Sequence, residues 1–271
     1  MSNAAKIICF ANQKGGCGKT TMANEMAAGL VKEGYRVLAI DMDPQGNLSN
    51  SAGAVMSSIQ TTEHPTMYEV LKETVPAVDA IQHCKNYDII PANLFLANAE
   101  MELVSKTGRE MILRKAMKSI RPLYDYVIID TPPSLGILTI NAFTASDAII
   151  IPLLPDLYAI EGMVKLTESV NVVQEYFNPT LTVSGIVLTQ FENQTNSSQT
   201  LTEIANNAAE RLEVKPYKTR IRKAAAVRDA RTNQMTIEDY GKMKGRKAKV
   251  QTDFEEFIQE FLAREENETW L

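Results

Sequence analysis

A glycine-rich segment at residues 14–21 has the residue types that bind phosphate groups. Its three glycines allow backbone N–H groups to turn toward one point without a clash from a Cβ atom. Those N–H groups, together with the N-terminus of a following helix, attract an anion. Lys19 is placed to reach the β- and γ-phosphates of a nucleotide, and the Thr20 hydroxyl is placed to ligate Mg²⁺. The predicted nucleotide-binding residues are Lys14, Gly15, Gly16, Cys17, Gly18, Lys19, Thr20 and Thr21.

Two further segments place carboxylates at the ends of apolar runs. Asp41 and Asp43 are two residues apart, so they lie on the same face of an extended strand end. Asp43 is then placed to face the γ-phosphate, the attacking water and the ion, with Asp41 as a supporting group. Asp130 follows the apolar run 126–129, which would deliver its carboxylate near Mg²⁺, usually through water. The predicted metal-binding residues are Thr20, Asp43 and Asp130.

The elements that must position these residues are short apolar runs separated by helical patterns. Such runs are typical of strands buried on both faces, and strand–helix alternation indicates right-handed βαβ units. We therefore predict an α/β fold of the P-loop NTPase type, a mostly parallel twisted sheet flanked by helices on both faces, with ligands at the carboxyl ends of the strands. The predicted strands are 6–11, 36–41, 87–90, 126–129, 148–154 and 185–189. The predicted helical patterns are 20–32, 94–120, 160–176, 201–212 and 252–264.

The charge of the chain is unevenly distributed. Residues 211–249 carry 13 Lys and Arg against 4 Asp and Glu, a balance of +9, so the rest of the chain carries −14 within a formal net charge of −5. A strongly basic segment in an acidic protein favours a localised anionic partner. The length of 271 residues predicts a single domain over residues 1–271. The sequence has no apolar run of about 18 residues and no signal-peptide pattern, which argues against a transmembrane helix.

The order of these motifs resembles the ParA/MinD group of ATPases, which has a variant phosphate loop. The loop reads K-G-G-x-G-K-[ST], because Gln13 stands where the strict pattern has its first glycine. D-M-D-P-Q-G-N at 41–47 and Y-D-Y-V-I-I-D-T-P-P at 124–133 match motifs of ParA proteins, and the resemblance covers nearly the whole chain. It implies ATP and Mg²⁺ as cofactors and a hydrolytic role for Asp43. It also implies that Lys14 reaches the phosphates of the partner subunit in a nucleotide-sandwich dimer. The predicted catalytic residues are Lys14, Asp43 and Lys19.

The resemblance implies a ParA-like ATPase for plasmid or chromosome partition. Its ATP homodimer would bind double-stranded DNA without sequence preference, and a ParB-like, centromere-bound partner would stimulate slow hydrolysis. The predicted DNA contacts in the basic segment are Arg220, Arg222, Lys223 and Arg228. The run at 221–230 lacks the Pro and Asn of the family pattern I-P-R-N-V-R-L-S-E-A, so details of nucleobase and DNA contact are not carried over. Since the phosphate loop begins so near the N-terminus, we expect no preceding helix-turn-helix domain.

The C-terminal helix and the cysteines bear on other functions of this scaffold. The helix at 252–264 is acidic and amphipathic, so an anionic bilayer would repel it, and we predict that it packs on the core. A nitrogenase-iron-protein-like member needs two cysteines beyond the loop for a shared Fe–S cluster, and only Cys84 is available. Three cysteines without zinc or disulfide spacing indicate the cytoplasm, and DNA binding would place the protein at the nucleoid. The alternatives are an ATPase that positions a protein cargo or regulates assembly without DNA binding, and a non-hydrolysing nucleotide-binding adaptor.

Overall fold

The computed structural model describes residues 4–56, 64–154, 159–192, 209–210 and 213–266, and in these ranges one eight-stranded sheet organises the chain. The strands are β1 (Lys6–Phe10), β2 (Val37–Asp41), β3 (Gln82–His83), β4 (Asp88–Ile90), β5 (Tyr126–Asp130), β6 (Ala148–Leu153), β7 (Thr182–Phe191) and β8 (Arg220–Arg222). Their order across the sheet is β3-β4-β2-β5-β1-β6-β7-β8, and each neighbouring pair is parallel except β3 with β4. The predicted α/β class is confirmed, and the two short strands β3 and β8 are additions to the predicted set.

Helices surround the sheet. In the described ranges they are α1 (Lys19–Lys32), α2 (Asn47–Ala52), α3 (Met67–Leu71), α4 (Leu96–Glu102), α5 (Ile112–Ile120), α6 (Ile137–Ala145), α7 (Ala159–Tyr176), α8 (Ala225–Thr232), α9 (Ile237–Met243) and α10 (Lys249–Glu266). The predicted pattern at 94–120 is not one helix: α4 and α5 are separated by a 3-10 turn that follows Gly108, whose φ is 71°. The helix α4 already ends at Glu102, and a right-handed helix does not continue through a residue with the φ of Gly108. The pattern predicted at 201–212 lies outside the described residues, apart from 209–210.

Hydrophobic cores fill both faces of the sheet, as predicted. The side chains of β1 alternate, so Ile7 and Cys9 join a core that includes residues of α4 to α7. Ile8 and Phe10 face the other way, into a core that includes residues of α1 and α10. All four side chains are fully buried. Burial on both faces is why the strands appear in the sequence as continuous apolar runs rather than alternating ones.

The C-terminal helix α10 packs on the second core, as predicted from its apolar face. Phe254, Phe257 and Phe261 are buried there. Ile258 lies against α1 at Gly29, where an added Cβ would stand 2.0 Å from the Ile258 Cδ1 atom. The apolar face of α10 is therefore used inside the protein. Over the described residues, no helix combines the length and the apolar character needed to cross a bilayer.

Candidate nucleotide-binding site

The phosphate loop, residues 14–18, connects β1 to α1 at the carboxyl end of a strand inside the sheet. Gly16 and Gly18 have φ values of 74° and 96°, in the left-handed region that side chains rarely adopt. A Cβ added at Gly15 or Gly16 would meet no atom within 4 Å, so the loop borders open space. No side chain caps the start of α1. The first N–H groups of this helix are therefore available to an anion.

Side chains from the end of β7 hydrogen-bond to carbonyl groups of the phosphate loop. Thr189 Oγ1 donates a hydrogen bond to the Cys17 carbonyl at 2.7 Å, and Gln190 Nε2 donates to the Gly16 carbonyl at 2.5 Å. Because a planar peptide directs its C=O and the following N–H to opposite sides, these bonds turn the N–H groups of Cys17 and Gly18 away from β7. Thr189 and Gln190 are not among the predicted site residues. Their signal in the sequence was a polar pair at the end of an apolar run.

Two further residues of this region are placed by their backbone neighbours. Asn12 Oδ1 accepts the Lys14 N–H at 3.0 Å, while Asn12 Nδ2 donates to the Pro152 carbonyl at 2.7 Å. Asn12 thereby connects the start of the loop to β6, and it is a third residue that the predicted set lacks. Lys19 Nζ donates to the Lys14 carbonyl at 3.2 Å, and Lys19 is only 7% exposed. The Lys19 ammonium is therefore folded back over the loop, where phosphate would lie.

Asp41 and Asp130 end the adjacent parallel strands β2 and β5 and are paired in register. Both residues are fully buried, but their surroundings differ. Asp41 accepts hydrogen bonds from Ser49 and from the Asp43 N–H, and burial raises its pKa to about 6. Among the described residues, no group donates a hydrogen bond of ordinary geometry to either oxygen of Asp130. Burial, and then the charge of Asp41, raise the pKa of Asp130 well above its usual range.

The unpartnered carboxylate of Asp130 makes this edge of the sheet a fit for a cation. A buried carboxylate without hydrogen bonds is costly, and a hard cation with oxygen ligands removes that cost. The Thr20 hydroxyl approaches Asp130 outside ordinary hydrogen-bond geometry, and it lowers the pKa of Asp130 in part, as does the charge of Lys19. The predicted magnesium ligands Thr20 and Asp130 are therefore neighbours, and Mg²⁺ held there would neutralise charge on the β- and γ-phosphates.

Asp43 lies two residues beyond the end of β2 and is mostly buried. Its Oδ1 accepts the Gln45 N–H at 3.0 Å, and its carbonyl accepts the Gly46 N–H at 2.9 Å, so a tight turn holds it. Asp41 connects Asp43 to Asp130, because its Oδ1 accepts the Asp43 N–H and it is paired in register with Asp130. The charge of Asp43 is one of the causes that raise the pKa of Asp130. The predicted residues that the structure brings to this one edge of the sheet are Lys19, Thr20, Asp43 and Asp130.

The predicted DNA contacts lie on β8 and α8, and their surroundings differ. The guanidinium of Arg222 makes two hydrogen bonds to the buried carboxylate of Asp253, at 2.7 and 2.5 Å. Lys223 pairs with Glu192 at the surface at 2.7 Å, and Arg220 lies 4.9 Å from the centroid of the Phe191 ring. The Arg228 side chain is 81% exposed. Arg222 thus anchors β8 to α10, whereas the other three are exposed, with Lys223 paired to Glu192 and Arg228 Nε 3.7 Å from Asp229 Oδ1.

Comparison with known proteins connects this geometry to one family. Residues 5–183 match a family described as an AAA domain. The chain is 42% identical over 193 residues to the sporulation initiation inhibitor protein Soj of Bacillus subtilis, covering 70% of this chain and 75% of Soj. It is 40% identical over 204 residues to the chromosome partitioning protein ParA of Myxococcus xanthus, covering 74% and 71% of the two chains.

A solved structure is similar over almost the full length. Cobyrinic acid a,c-diamide synthase of Mycobacterium smegmatis, with bound ATP analogue and magnesium, has a TM-score of 0.83 and 29% identity, and the alignment covers 98% of each chain. The motifs, the sheet order and the relatives all agree with the predicted family. The chain belongs to the ParA/Soj family of P-loop ATPases.

Proposed function

We propose that this chain is a ParA-like ATPase for plasmid or chromosome partition that binds DNA as an ATP-dependent sandwich dimer. The observation that carries the proposal is that a phosphate loop with two lysines lies at the same edge of the sheet as the unpartnered carboxylate of Asp130. The chain is also related to a chromosome partitioning protein over most of its length. ATP and Mg²⁺ are its cofactors, and the similar mycobacterial structure holds an ATP analogue and magnesium.

Each group at the site has a distinct role in this proposal. The N–H groups of the phosphate loop and the Lys19 ammonium bind the phosphates through charge-assisted hydrogen bonds. Thr20 and Asp130 hold Mg²⁺, which supplies neutralisation of the charge that develops on the phosphate oxygens. Asp43, fixed in its turn, accepts a hydrogen bond from the attacking water and orients it toward the γ-phosphate. Lys14 reaches the phosphates bound by the second subunit.

Lys14→Ala tests the dimer directly. We expect the variant to dimerise about 10-fold more weakly with AMPPNP, because it cannot make a charge-assisted bond to phosphate across the interface. The affinity of the monomer for AMPPNP should change much less. Sedimentation equilibrium with and without AMPPNP measures the first quantity, and fluorescence titration measures the second. Lys118→Ala, which removes an exposed cation from α5, is the control. Wild-type dimerisation of the Lys14 variant would leave Lys14 as a cation of its own loop.

A basic surface beside the nucleotide site supports the DNA part of the proposal. We define it as the exposed Lys and Arg side chains of residues 220–249. Its helix α8 lies close to the start of α1, since Val227 and Ala230 line the same small cavity as Thr20 and Thr21. One protomer presents one such surface, and an ATP dimer presents two. Two linked contacts can raise avidity by roughly 10²–10⁴ without any new contact, which makes DNA binding depend on ATP.

Reversing charge on this surface is expected to weaken DNA binding. Lys223→Glu with Arg228→Glu should flatten the slope of log K against log salt by about 0.9 for each DNA phosphate that the variant no longer neutralises, independently of DNA sequence. Arg222 is left intact, because a glutamate there would face the buried carboxylate of Asp253. Lys118→Glu with Lys165→Glu changes charge equally on helices of the other face and should bind normally. Binding to random duplex with AMPPNP, measured at several salt concentrations, provides both slopes.

The proposed cycle of ATP binding, dimerisation and DNA binding ends with hydrolysis. A ParB-like, centromere-bound partner stimulates slow hydrolysis, the dimer dissociates and DNA is released, so the ATP form resides at the nucleoid. If both charge-reversed proteins bound DNA with the wild-type slope, the DNA surface would lie elsewhere on the dimer. Wild-type protein that binds no DNA with ATP would instead support an ATPase that positions a protein cargo.

A further inference from the structure

A buried hydroxyl group behind Asp43 joins three segments of the chain. Ser49, in α2, is fully buried. Its Oγ donates to Asp41 Oδ2 at 2.7 Å, and its N–H donates to the same oxygen at 2.9 Å. The Ser49 Oγ also accepts the N–H of Ala92, just beyond β4, at 2.9 Å. One side chain therefore connects the end of β2, the helix α2 and the segment that follows β4.

The bonds of Ser49 continue through Asp41 to the hydrolytic turn. Asp41 Oδ2 is held by Ser49, and Asp41 Oδ1 accepts the Asp43 N–H at 3.0 Å. A carboxylate held at both oxygens keeps one rotamer, so Asp41 links Ser49 to the backbone of Asp43 in a fixed position. Hydrogen bonds to a charged acceptor are among the stronger ones in proteins, and a connected buried network is more rigid than its separate pairs.

A close backbone approach secures the other side of the same turn. Gly46 has a φ of 62°, and a Cβ added there would lie 3.2 Å from the Ala92 carbonyl oxygen. The backbone at Ala92 therefore packs against the turn that holds Asp43, while its N–H binds Ser49. The Gly46 contact and the Ser49 hydroxyl both meet the backbone at Ala92. Movement of the Asp43 turn relative to Ala92 would therefore have to break the Ser49 bonds.

We propose that Ser49 is a positioning residue for ATP hydrolysis, which acts through Asp41 to fix Asp43 toward the attacking water. The inference rests on the proposed hydrolytic role of Asp43. Ser49 is fully buried and its hydroxyl is already bonded on two sides, so it does not contact the nucleotide itself. Its loss therefore affects the rate of the chemical step rather than the affinity for ATP.

Ser49→Ala separates these two quantities. We expect single-turnover phosphate release to slow about 10-fold to 100-fold, as for the removal of a hydrogen bond that orients a charged group. The Kd for AMPPNP should stay within about threefold of wild type, because phosphate contacts are unchanged. Ser51→Ala is the matched control: its hydroxyl lies on the same helix but donates only to the Asn47 carbonyl, at 2.9 Å. That variant should release phosphate at the wild-type rate.

A second variant keeps the test decisive if Ser49→Ala folds poorly. Ser49→Cys has nearly the same shape but hydrogen-bonds weakly, so it should slow hydrolysis while retaining a cooperative thermal unfolding transition. A role limited to stability would lower Tm and leave the rate of the folded protein unchanged, and that result would overturn the proposal. Wild-type turnover in Ser49→Ala with an inactive Asp43→Ala removes only the role of Ser49. Wild-type turnover in Asp43→Ala removes the proposed role of Asp43 itself.

Discussion

Replacing Lys19 with alanine is expected to weaken ATP binding by about 100-fold or more. Lys19 is the predicted contact to two phosphates, and each charge-assisted bond of this kind contributes about 1.5–3 kcal/mol. The structure adds a second cause. The Lys19 ammonium lies near the buried carboxylate of Asp130, whose pKa it lowers. Without it, Asp130 and the adjacent Asp41 would repel the phosphates with less compensation.

A matched control is available on the same helix. Lys32 stands at the other end of α1 with its side chain 51% exposed and paired with Glu238. Lys32→Ala should therefore bind ATP like the wild type. Isothermal titration of both variants with ATP and Mg²⁺ measures the two dissociation constants. An affinity of Lys19→Ala equal to that of Lys32→Ala would contradict the phosphate-binding role of Lys19.

Asp43→Ala is expected to bind ATP and to fail to hydrolyse it. General-base and water-orienting groups contribute about 10²–10⁴-fold to the rate, so phosphate release should fall by that factor. Binding should persist, because Asp43 is held by its own turn and the phosphate loop is held independently by Thr189 and Gln190. The variant should also accumulate as an ATP-bound dimer, since the step that ends the cycle is blocked.

Single-turnover phosphate release and nucleotide filter binding together test this expectation. Asp79→Ala is the control. It removes an exposed carboxylate from a 3-10 turn (Ala77–Ala80) that contributes no residue to the site, so it should behave as wild type in both measurements. Turnover of Asp43→Ala at the wild-type rate would move the hydrolytic role to another residue. Loss of binding and turnover together would instead assign Asp43 to nucleotide affinity.

The parts of the site that adjoin each other in sequence could be predicted from it. The segment from β1 through the phosphate loop to α1 has strong local requirements, namely a buried strand, glycines with positive φ and a helix start, and the structure has them in that order. Asp130 could be placed by its apolar run, because carboxyl ends of parallel strands meet at one edge. Predicting that Asp130 pairs with Asp41 would have required the order of the strands in the sheet, and the apolar periodicity of the sequence does not contain that order.

The residues that support the site were missed for a different reason. Asn12, Thr189 and Ser49 act through hydrogen bonds to distant backbone or to a buried carboxylate, and the type and spacing of a single Asn, Thr or Ser do not reveal such a partner. The interruption between Glu102 and Ile112 was also missed, because apolar spacing on both sides of it fits a single helix. Arg222 was predicted as a DNA contact from the basic segment and the family resemblance, and neither reveals its buried partner Asp253.

The bond between Thr189 and Cys17 links residues 172 positions apart, which has a consequence for folding. The phosphate loop is synthesised before β7, but it gains its hydrogen bonds from Thr189 and Gln190 only when β7 has docked. Contacts between residues so far apart in sequence form slowly. A nucleotide that requires the finished loop binds the native state and not its precursors. It therefore shifts the folding equilibrium by RT ln(1 + [L]/Kd), about 2.7 kcal/mol when free nucleotide is 100 times Kd. Cellular ATP then acts on this protein as a stabiliser of the completed chain, and depletion of ATP would expose it to unfolding and proteolysis.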